Sequence, residues 1–314
     1  MSAGEQKPLS LVPAQSAALT LAGTKSLAAR GRNDLRTREE ADGWLKRGDE
    51  LRRQNRLEEA FECYEQGIRL SPNHPQLQHM RGAMYSYGEG VKQDYALAAE
   101  AYLKAALQGE VGAQGDLGAL YANGLGVPRD YDQAAGWIRK AAAQGDAAAQ
   151  CNLGILYQKG NGVTQDQEEA VAWWRKAADQ GYAAAQYSLG NAYYYGEGVA
   201  QDYIQAADFF RKAGERGDVY GQLCLGMSYS KGDGVPRNYS HAAVWYRKAA
   251  EHGNTKAQFL LGVAFQLGQG VLRDIDEAAT WFQRAVDGGY EPAKAAMGDL
   301  SRRVSREHTN THSG

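Results

Sequence analysis

One glycine recurs along this chain at a constant interval of 36 residues. It is Gly190 in the central stretch, and on either side it recurs as Gly82, Gly118, Gly154, Gly226, Gly262 and Gly298. A second mark keeps the same period, because a valine follows a Gly-x-Gly sequence at Val91, Val127, Val163, Val199, Val235 and Val271. A period of about 20 to 50 residues is typical of a solenoid, whose units bury their apolar faces against their neighbours. The interval therefore predicts a linear array of units without one large common core.

The central unit has the pattern of two helices that pack closely. We predict a first helix, helix A, from Ala184 to Tyr195, and we expect its face toward the unit's own second helix, helix B, to carry Gln186, Leu189, Gly190 and Tyr193. Glycine at position 190 has no side chain, so helix B can approach closely. Alanines beside an aromatic residue at helical spacing, as at 206, 207, 210 and 213, suit tight helix pairing.

The connection between the two helices carries stop and start signals. The sequence Gly196-Glu197-Gly198 ends helix A, since glycine readily takes the left-handed conformation found at helix ends. Asp202 is placed to cap helix B, and we expect Val199 to fill the hairpin. A Gly-x-Gly loop could also hold a phosphate, but its recurrence with the hairpin and the lack of a following Gly-Lys-Ser/Thr favour a turn.

The chain before the array is divided by a helix start signal. Residues 1–36 show no repeat, and we predict a flexible or partly helical segment there. Thr37 and Glu40 form a capping box that predicts a helix beginning at 37. Residues 37–73 then resemble one tetratricopeptide helix hairpin, on the order and spacing of Trp44, Gly48, Ala60, Tyr64 and Pro72.

The repeated pattern has the order A-x-x-x-LG-x-x-Y-x-x-G-x-GV-x-x-D, then AA, an aromatic pair, a basic residue with alanine, and glycine. It resembles the Sel-one-like repeat family, a tetratricopeptide-like group, in six units at residues 74–290. The resemblance implies an all-α fold, a right-handed α-solenoid of antiparallel helix pairs with a 36-residue period and a concave groove. We expect residues 291–306 to form a C-terminal capping helix and residues 307–314 a disordered tail.

Members of this family are generally adaptors, so the resemblance implies a non-catalytic scaffold that binds a protein or peptide segment in the groove. The helix-A positions that vary between units are expected to line that groove. The predicted partner-binding residues are Tyr187, Asn191, Tyr194, Tyr195, Met227, Ser230, Gln158 and Lys159. Apolar residues at such positions, for instance Leu223, Ile155 and Val263, are equally explained by packing against the next helix A.

Signals for catalysis are weak. Among the cysteines, Cys151 falls on the predicted groove, where either a reactive thiol or a packing residue fits, and Cys224 is expected behind it. His308 and His312 have a metal-binding interval but lie in the predicted tail, so no metal or cofactor is expected. Some cysteine-rich relatives of the family hydrolyse or bind β-lactams, but this chain lacks their paired cysteines. A regulator of envelope or secretion machinery is a further alternative.

Composition narrows the setting. The formal net charge is −2, with 43% hydrophobic and 23% charged residues, which does not favour nucleic acid as a partner. The chain contains no run of the roughly 18 apolar residues that a membrane helix needs. Three widely spaced cysteines and an N-terminus interrupted by polar residues favour a reducing, cytoplasmic setting without membrane insertion. We expect a monomer.

Overall fold

The structure, a computed structural model, describes residues 36–311. Within this range the chain forms fifteen α-helices and no strand, as the predicted all-α class requires. The first helix, α1, spans residues 36–53. The others are α2 (Leu57–Leu70), α3 (Pro75–Tyr87), α4 (Tyr95–Ala106), α5 (Val111–Asn123), α6 (Tyr131–Ala143), α7 (Ala147–Lys159), α8 (Gln167–Asp179), α9 (Ala183–Tyr195), α10 (Tyr203–Glu215), α11 (Val219–Lys231), α12 (Tyr239–Glu251), α13 (Thr255–Leu267), α14 (Ile275–Asp287) and α15 (Glu291–Thr311).

The helices belong to two compact units. Among the described residues, the first contains residues 36–113 together with Leu125–Val127, and the second contains Gln114–Gly124 and residues 128–311. In the second unit each helix packs against the next along the chain, from α6 to α15. This is the predicted arrangement of sequential helix pairs.

In the first unit, Gly48 and Tyr64 hold the tetratricopeptide-like hairpin together. A Cβ atom at Gly48 would lie 2.3 Å from Cε1 of Tyr64, so only glycine lets α1 and α2 meet here. The Tyr64 ring is fully buried, and its hydroxyl donates a hydrogen bond to Oδ1 of Asp49 at 2.8 Å. Two of the residues that indicated this hairpin therefore form its central contact.

In the second unit, the same device recurs between α9 and α10. A Cβ at Gly190 would lie 2.5 Å from Cδ1 and from Cε1 of Phe210, whose side chain is 2% exposed. Ala206 and Ala213 on α10 are fully buried on the same face as Phe210. Glycine on one helix and alanine with phenylalanine on the other thus produce the close pairing that the sequence predicts.

The connection between these helices also follows its sequence signals. Gly196 takes a left-handed φ of 74° and donates its N–H to the Ala192 carbonyl, which ends α9. The carboxylate of Asp202 accepts the N–H groups of Ile204 and Gln205, which begins α10. Helix α9 begins at Ala183, in agreement with the predicted start at about Ala184.

The second glycine of the loop has a stacking role. Gly198 has a φ of 69°, and a Cβ there would lie 2.2 Å from the carbonyl oxygen of Gln167 at the start of α8. The loop of one unit therefore rests on the start of helix B in the preceding unit. This backbone approach explains the Gly-x-Gly recurrence as a turn and an inter-repeat contact.

One buried residue contradicts its predicted orientation. Gln186 was expected to face its own helix B, but its Nε2 donates to the carbonyl of Ala178 at the end of the preceding helix B, at 3.3 Å. Gln150, Gln222 and Gln258 make the same bond in their units. A long amide side chain can supply a donor to carbonyls that a helix end leaves without an intrahelical partner. These glutamines therefore join consecutive repeats.

The termini of the described region differ from the sequence expectation. Helix α1 already includes residue 36, so Thr37 lies inside the helix and is not its N-cap. Helix α15 continues to Thr311, past the predicted end at residue 306, so the helix runs into the segment predicted to be a disordered tail. Near its middle, Leu300 is 4% exposed and joins the cluster of Trp281 and Phe282. The rest of the predicted N-terminal segment, 1–35, and residues 312–314 lie outside the described residues.

Candidate functional site

Aromatic side chains gather at the end of α9 in the second unit. The Tyr194 ring meets the rings of Tyr195 and Tyr203 edge to face, with centroids 5.0 and 5.1 Å apart. Phe210 lies beneath it, with a centroid separation of 6.4 Å. Tyr195 is 65% exposed, so the cluster presents a rigid aromatic surface to solvent. Aromatic residues at such surfaces often contribute most of the binding energy of protein interfaces.

Polar groups from the following unit fix the Tyr194 ring. Its hydroxyl donates to Oδ2 of Asp233 at 2.9 Å and accepts from Nζ of Lys231 at 3.2 Å. Burial raises the pKa of Tyr194, and the hydrogen bond to Asp233 also raises it, whereas the bond from Lys231 lowers it. The phenol is therefore a protonated structural link between neighbouring repeats.

A small cavity of about 80 Å³ opens beside this ring, between α9 and α11. Its lining includes Asn191, Tyr194, Tyr195, Met227, Lys231 and Asp233. Small-molecule sites usually occupy about 300 to 1,000 Å³. The cavity thus suits a group the size of a side chain. Four of the eight predicted partner-binding residues, namely Asn191, Tyr194, Tyr195 and Met227, meet here.

Tyr187 is placed differently from the prediction. Its ring packs against Phe210 and Tyr220, with centroids 6.3 and 5.7 Å apart, and its hydroxyl shares a hydrogen bond with Asn191. The equivalent residues Cys151 and Leu223 are 2% and 7% exposed. This helix-A position is therefore a packing position between its own helix B and the next helix A, and it is not a free groove position.

The other three predicted residues do not join the cavity. Ser230 shares a hydrogen bond with the buried Tyr246, and Ser228, two residues earlier, lines the cavity instead. The backbone carbonyl of Gln158 accepts from the amide of Gln165 at 2.9 Å. Lys159 lines a second cavity. The predicted residues that meet at one cavity are therefore confined to α9 and α11.

The second cavity lies between α5 and α7 and has a volume of about 310 Å³. Its lining includes Ala122, Asn123, Ile138, Ile155, Lys159 and Asn161. Each of these residues stands two 36-residue periods before a lining residue of the first cavity. Sequence reasoning named Lys159 as a partner-binding residue and Ile155 as a variable helix-A residue, but it did not predict the cavity that they line. The sequence feature that could have indicated this cavity is Ala122, a small residue at the repeat position that Tyr194 occupies.

The cysteines exchange their predicted places. Cys151, expected on the groove, is 2% exposed, and burial raises its pKa to about 12. Cys224, expected to be hidden, is half-buried and lines the first cavity, where burial raises its pKa to about 11. A thiolate nucleophile requires a lowered pKa, so neither environment activates a thiol.

Metal-ligating residues do not converge in the described part of the chain. Among its side chains, no group of three or more His, Cys, Asp or Glu could hold a metal ion. His308 and His312, which have a metal-binding interval, lie outside the side chains that the structure describes. None of the helices within residues 36–311 is long and apolar enough to cross a membrane.

Two-helix units of constant length, each stacked on the next, define an α-helical repeat protein of the solenoid class. The family comparison makes the class specific: the Sel1 repeat model matches residues 75–110, 111–146, 147–182, 183–218, 220–254 and 255–290. The chain belongs to the Sel1 repeat family. A TPR repeat model matches residues 48–86, which confirms an N-terminal tetratricopeptide-type unit, and the match overlaps the first Sel1 repeat at residues 75–86.

Solved structures agree with this assignment. A Sel1 repeat protein from Oxalobacter formigenes is 32% identical, with a TM-score of 0.69, and the match covers 77% of this chain and 96% of that chain. The protein c5321, a protective antigen present in uropathogenic Escherichia coli strains and displaying an SLR fold, is 38% identical with a TM-score of 0.69. That match covers 76% of this chain and 51% of the antigen, so this chain spans about half its length. No match was found among curated proteins.

Proposed function

We propose that this chain is a protein-interaction scaffold that binds an extended or helical segment of a partner protein across α9 and α11. The observation that carries the proposal is the exposed aromatic edge at Tyr195, 65% exposed, beside the cavity at Met227. Interfaces are anchored by aromatic residues and methionine, and a rigid tyrosine contributes contact area at little conformational cost. Repeat solenoids of this kind typically serve as interaction scaffolds.

We propose further that the protein acts by binding and not by catalysis. Support comes from the thiols of Cys151 and Cys224, whose pKa values burial raises to about 12 and about 11. The hydroxyl of Tyr194 is engaged by Asp233 and Lys231 and is not activated as a nucleophile. We also propose that the protein is cytoplasmic, because its three unpaired cysteines suit a reducing compartment. We propose a monomer as its oligomeric state. Light scattering on purified protein and fractionation of native cells test these two points.

The test uses two tyrosines at the same repeat position. Tyr195 and Tyr87 each stand five residues after their repeat glycine and are 65% and 66% exposed. A partner is captured from native lysate with the intact chain, and its affinity is then measured for the Tyr195→Ala and Tyr87→Ala variants. Truncation of an interface hot spot costs about 2 kcal/mol, or roughly a 30-fold rise in Kd.

We expect that rise for Tyr195→Ala and little change for Tyr87→Ala. The double substitution of Tyr194 and Tyr195 by alanine should weaken binding further, with circular dichroism to verify helix content. Equal affinities for wild type and Tyr195→Ala would refute the proposed surface. Turnover of a β-lactam by the purified chain would refute the non-catalytic assignment.

A further inference from the structure

The two cavities described above lie at equivalent positions two repeats apart. Between α9 and α11 the ring of Tyr194 occupies the site, and a cavity of about 80 Å³ remains. Between α5 and α7 the equivalent residue is Ala122, and the cavity measures about 310 Å³. Asn123 and Ile138, which stand where the first cavity has Tyr195 and Phe210, are also smaller and add to the difference in volume. One repeat thus fills this position with a tyrosine ring of its own, and the other does not.

The walls of the open cavity match those around the Tyr194 ring. Ile138 takes the place of Phe210 beneath the ring, and both are 2% exposed. Tyr131 takes the place of Tyr203, which meets the Tyr194 ring edge to face. An aromatic ring entering beside Ala122 would thus find an apolar floor and a tyrosine edge.

The polar residues that line the two cavities also occupy equivalent positions. Lys159 stands where Lys231 donates to the Tyr194 hydroxyl, and Asn161 stands where Asp233 accepts from it. An asparagine side chain offers a carbonyl oxygen that can accept the same phenolic proton. It carries no negative charge, so the site keeps its cation and loses the matching anion. The phenolic oxygen of an incoming tyrosine can accept from Lys159 as the oxygen of Tyr194 accepts from Lys231.

We propose that the cavity between α5 and α7 is a socket for a tyrosine side chain of a partner protein segment. The ring lies on Ile138 and Ile155, and the hydroxyl accepts from Lys159 and donates to Asn161. The proposal rests on the proposed scaffold function, and it identifies the chemistry of the partner residue that docks two repeats before the Tyr195 surface.

The first test uses p-cresol, which carries the ring and hydroxyl of tyrosine, on the full chain labelled at alanine and isoleucine methyl groups for NMR. We expect saturable shifts at the methyl groups of Ile155 and Ala122. Toluene, which lacks the hydroxyl, should bind at least about fivefold more weakly, since the hydrogen bonds to both Lys159 and Asn161 are lost. Absence of saturable shifts at Ile155, or equal binding of toluene, would overturn the proposal.

The second test fills the socket from within. Ala122→Tyr, combined with Asn161→Asp, reproduces the Tyr194 and Asp233 pair and should abolish the p-cresol shifts at Ile155. Ala200→Tyr places the same side chain at an exposed loop position and should leave them unchanged. Conversely, in a sample labelled also at methionine methyl groups, Tyr194→Ala should open the first cavity, between α9 and α11, and create p-cresol shifts at Met227. Undiminished shifts at Ile155 in the filled, folded variant would place the ligand elsewhere.

The two proposals fail separately. If p-cresol binds at Ile155 while Tyr195→Ala leaves partner affinity unchanged, the socket stands and the α9–α11 surface is wrong. If Tyr195→Ala weakens the partner while p-cresol does not bind, the scaffold stands and the socket is wrong. A partner whose affinity survives the filled socket also rejects the proposal.

Discussion

Substitution of Gly190 by alanine tests the reasoning that positions the whole site. The added Cβ would lie 2.5 Å from Cδ1 and Cε1 of Phe210 and 3.2 Å from its Cγ. The ring cannot swing away easily, because Phe210 is 2% exposed and lies between Tyr187 and Tyr194. We therefore expect α9 and α10 to separate locally or the ring to leave its preferred rotamer.

Two opposing effects set the magnitude. Alanine in a helix interior is favoured over glycine by about 1 kcal/mol. Overpacking a well-packed core costs about 1 to 3 kcal/mol. Gly136→Ala is the matched control that isolates the cost of overpacking. Gly136 lies inside α6, another 13-residue helix, and a Cβ there would meet nothing within 4 Å. Gly136→Ala should stabilise by about 1 kcal/mol, and Gly190→Ala should be less stable than it by about 1 to 3 kcal/mol.

Urea denaturation followed by circular dichroism measures both variants, with the slope of the transition checked for constancy. Phe210→Leu in the Gly190→Ala background removes Cε1 and replaces the rigid ring by a branched side chain whose δ carbons can turn away from the new Cβ. The two substitutions should therefore be coupled, and the double variant should be less destabilised than the sum of the singles. Equal stabilities of Gly136→Ala and Gly190→Ala would refute the close helix approach. Strictly additive effects of the two substitutions would refute Phe210 as the obstacle.

Three further predictions concern caps and titrating groups. Asp202→Ala should destabilise by about 1 kcal/mol, since two backbone N–H groups lose their acceptor, and an unchanged urea midpoint would contradict this cap. Burial raises the pKa of Asp218 above its ordinary 3.8 and outweighs the backbone hydrogen bonds that lower it. The folded protein therefore binds this proton more tightly than the unfolded chain, and wild type should lose stability as the pH rises from about 4 through the folded-state pKa. Asp218→Asn, which keeps a cap of the type that Asn254 provides, should flatten that dependence, as urea midpoints between pH 4 and 7 will show. Native Cys151 and Cys224 should react with iodoacetamide at pH 8 more than about a hundredfold slower than in urea, as mass spectrometry can measure, and equal rates would contradict their raised pKa values.

The features that could be predicted from sequence are those set by a single residue's backbone requirement. Gly196 ends a helix because of its left-handed φ, and Asp202 begins one because its carboxylate reaches two N–H groups. Gly190 was predictable for a similar reason, since only the absence of a side chain permits the contact with Phe210. These requirements act within one hairpin and repeat with it.

The predictions that proved wrong depend on how one repeat stacks on the next. Gln186 reaches backward to Ala178, and its direction is decided by the position of the preceding helix B. Cys151 is buried, whereas Cys224, one repeat position further along its helix A, lines the cavity between α9 and α11. Neighbouring residues on a helix point about 100° apart, so a small error in the seam between successive helices A moves a residue from solvent to core. A repeat pattern shows which positions vary, but the stacking geometry decides which of them face outward.

The contrast between Tyr194 and Ala122 extends this argument to function. Tyr194 and Ala122 have the same surroundings. In each unit the repeat glycine leaves room for a helix-B residue beneath the position, which is Phe210 in one unit and Ile138 in the other. Since a tyrosine fits those surroundings in one repeat, the fold does not require an alanine in the other. A tyrosine at position 122 would add apolar contact and a hydrogen bond, so the smaller residue forgoes local stabilisation. This helix-A position varies between units, as Ser86, Ala122, Gln158, Tyr194, Ser230 and Gln266, so no packing rule of the repeat fixes it. A position that the fold leaves free can serve binding, and on that ground we propose that a partner's side chain completes the repeat at the open cavity.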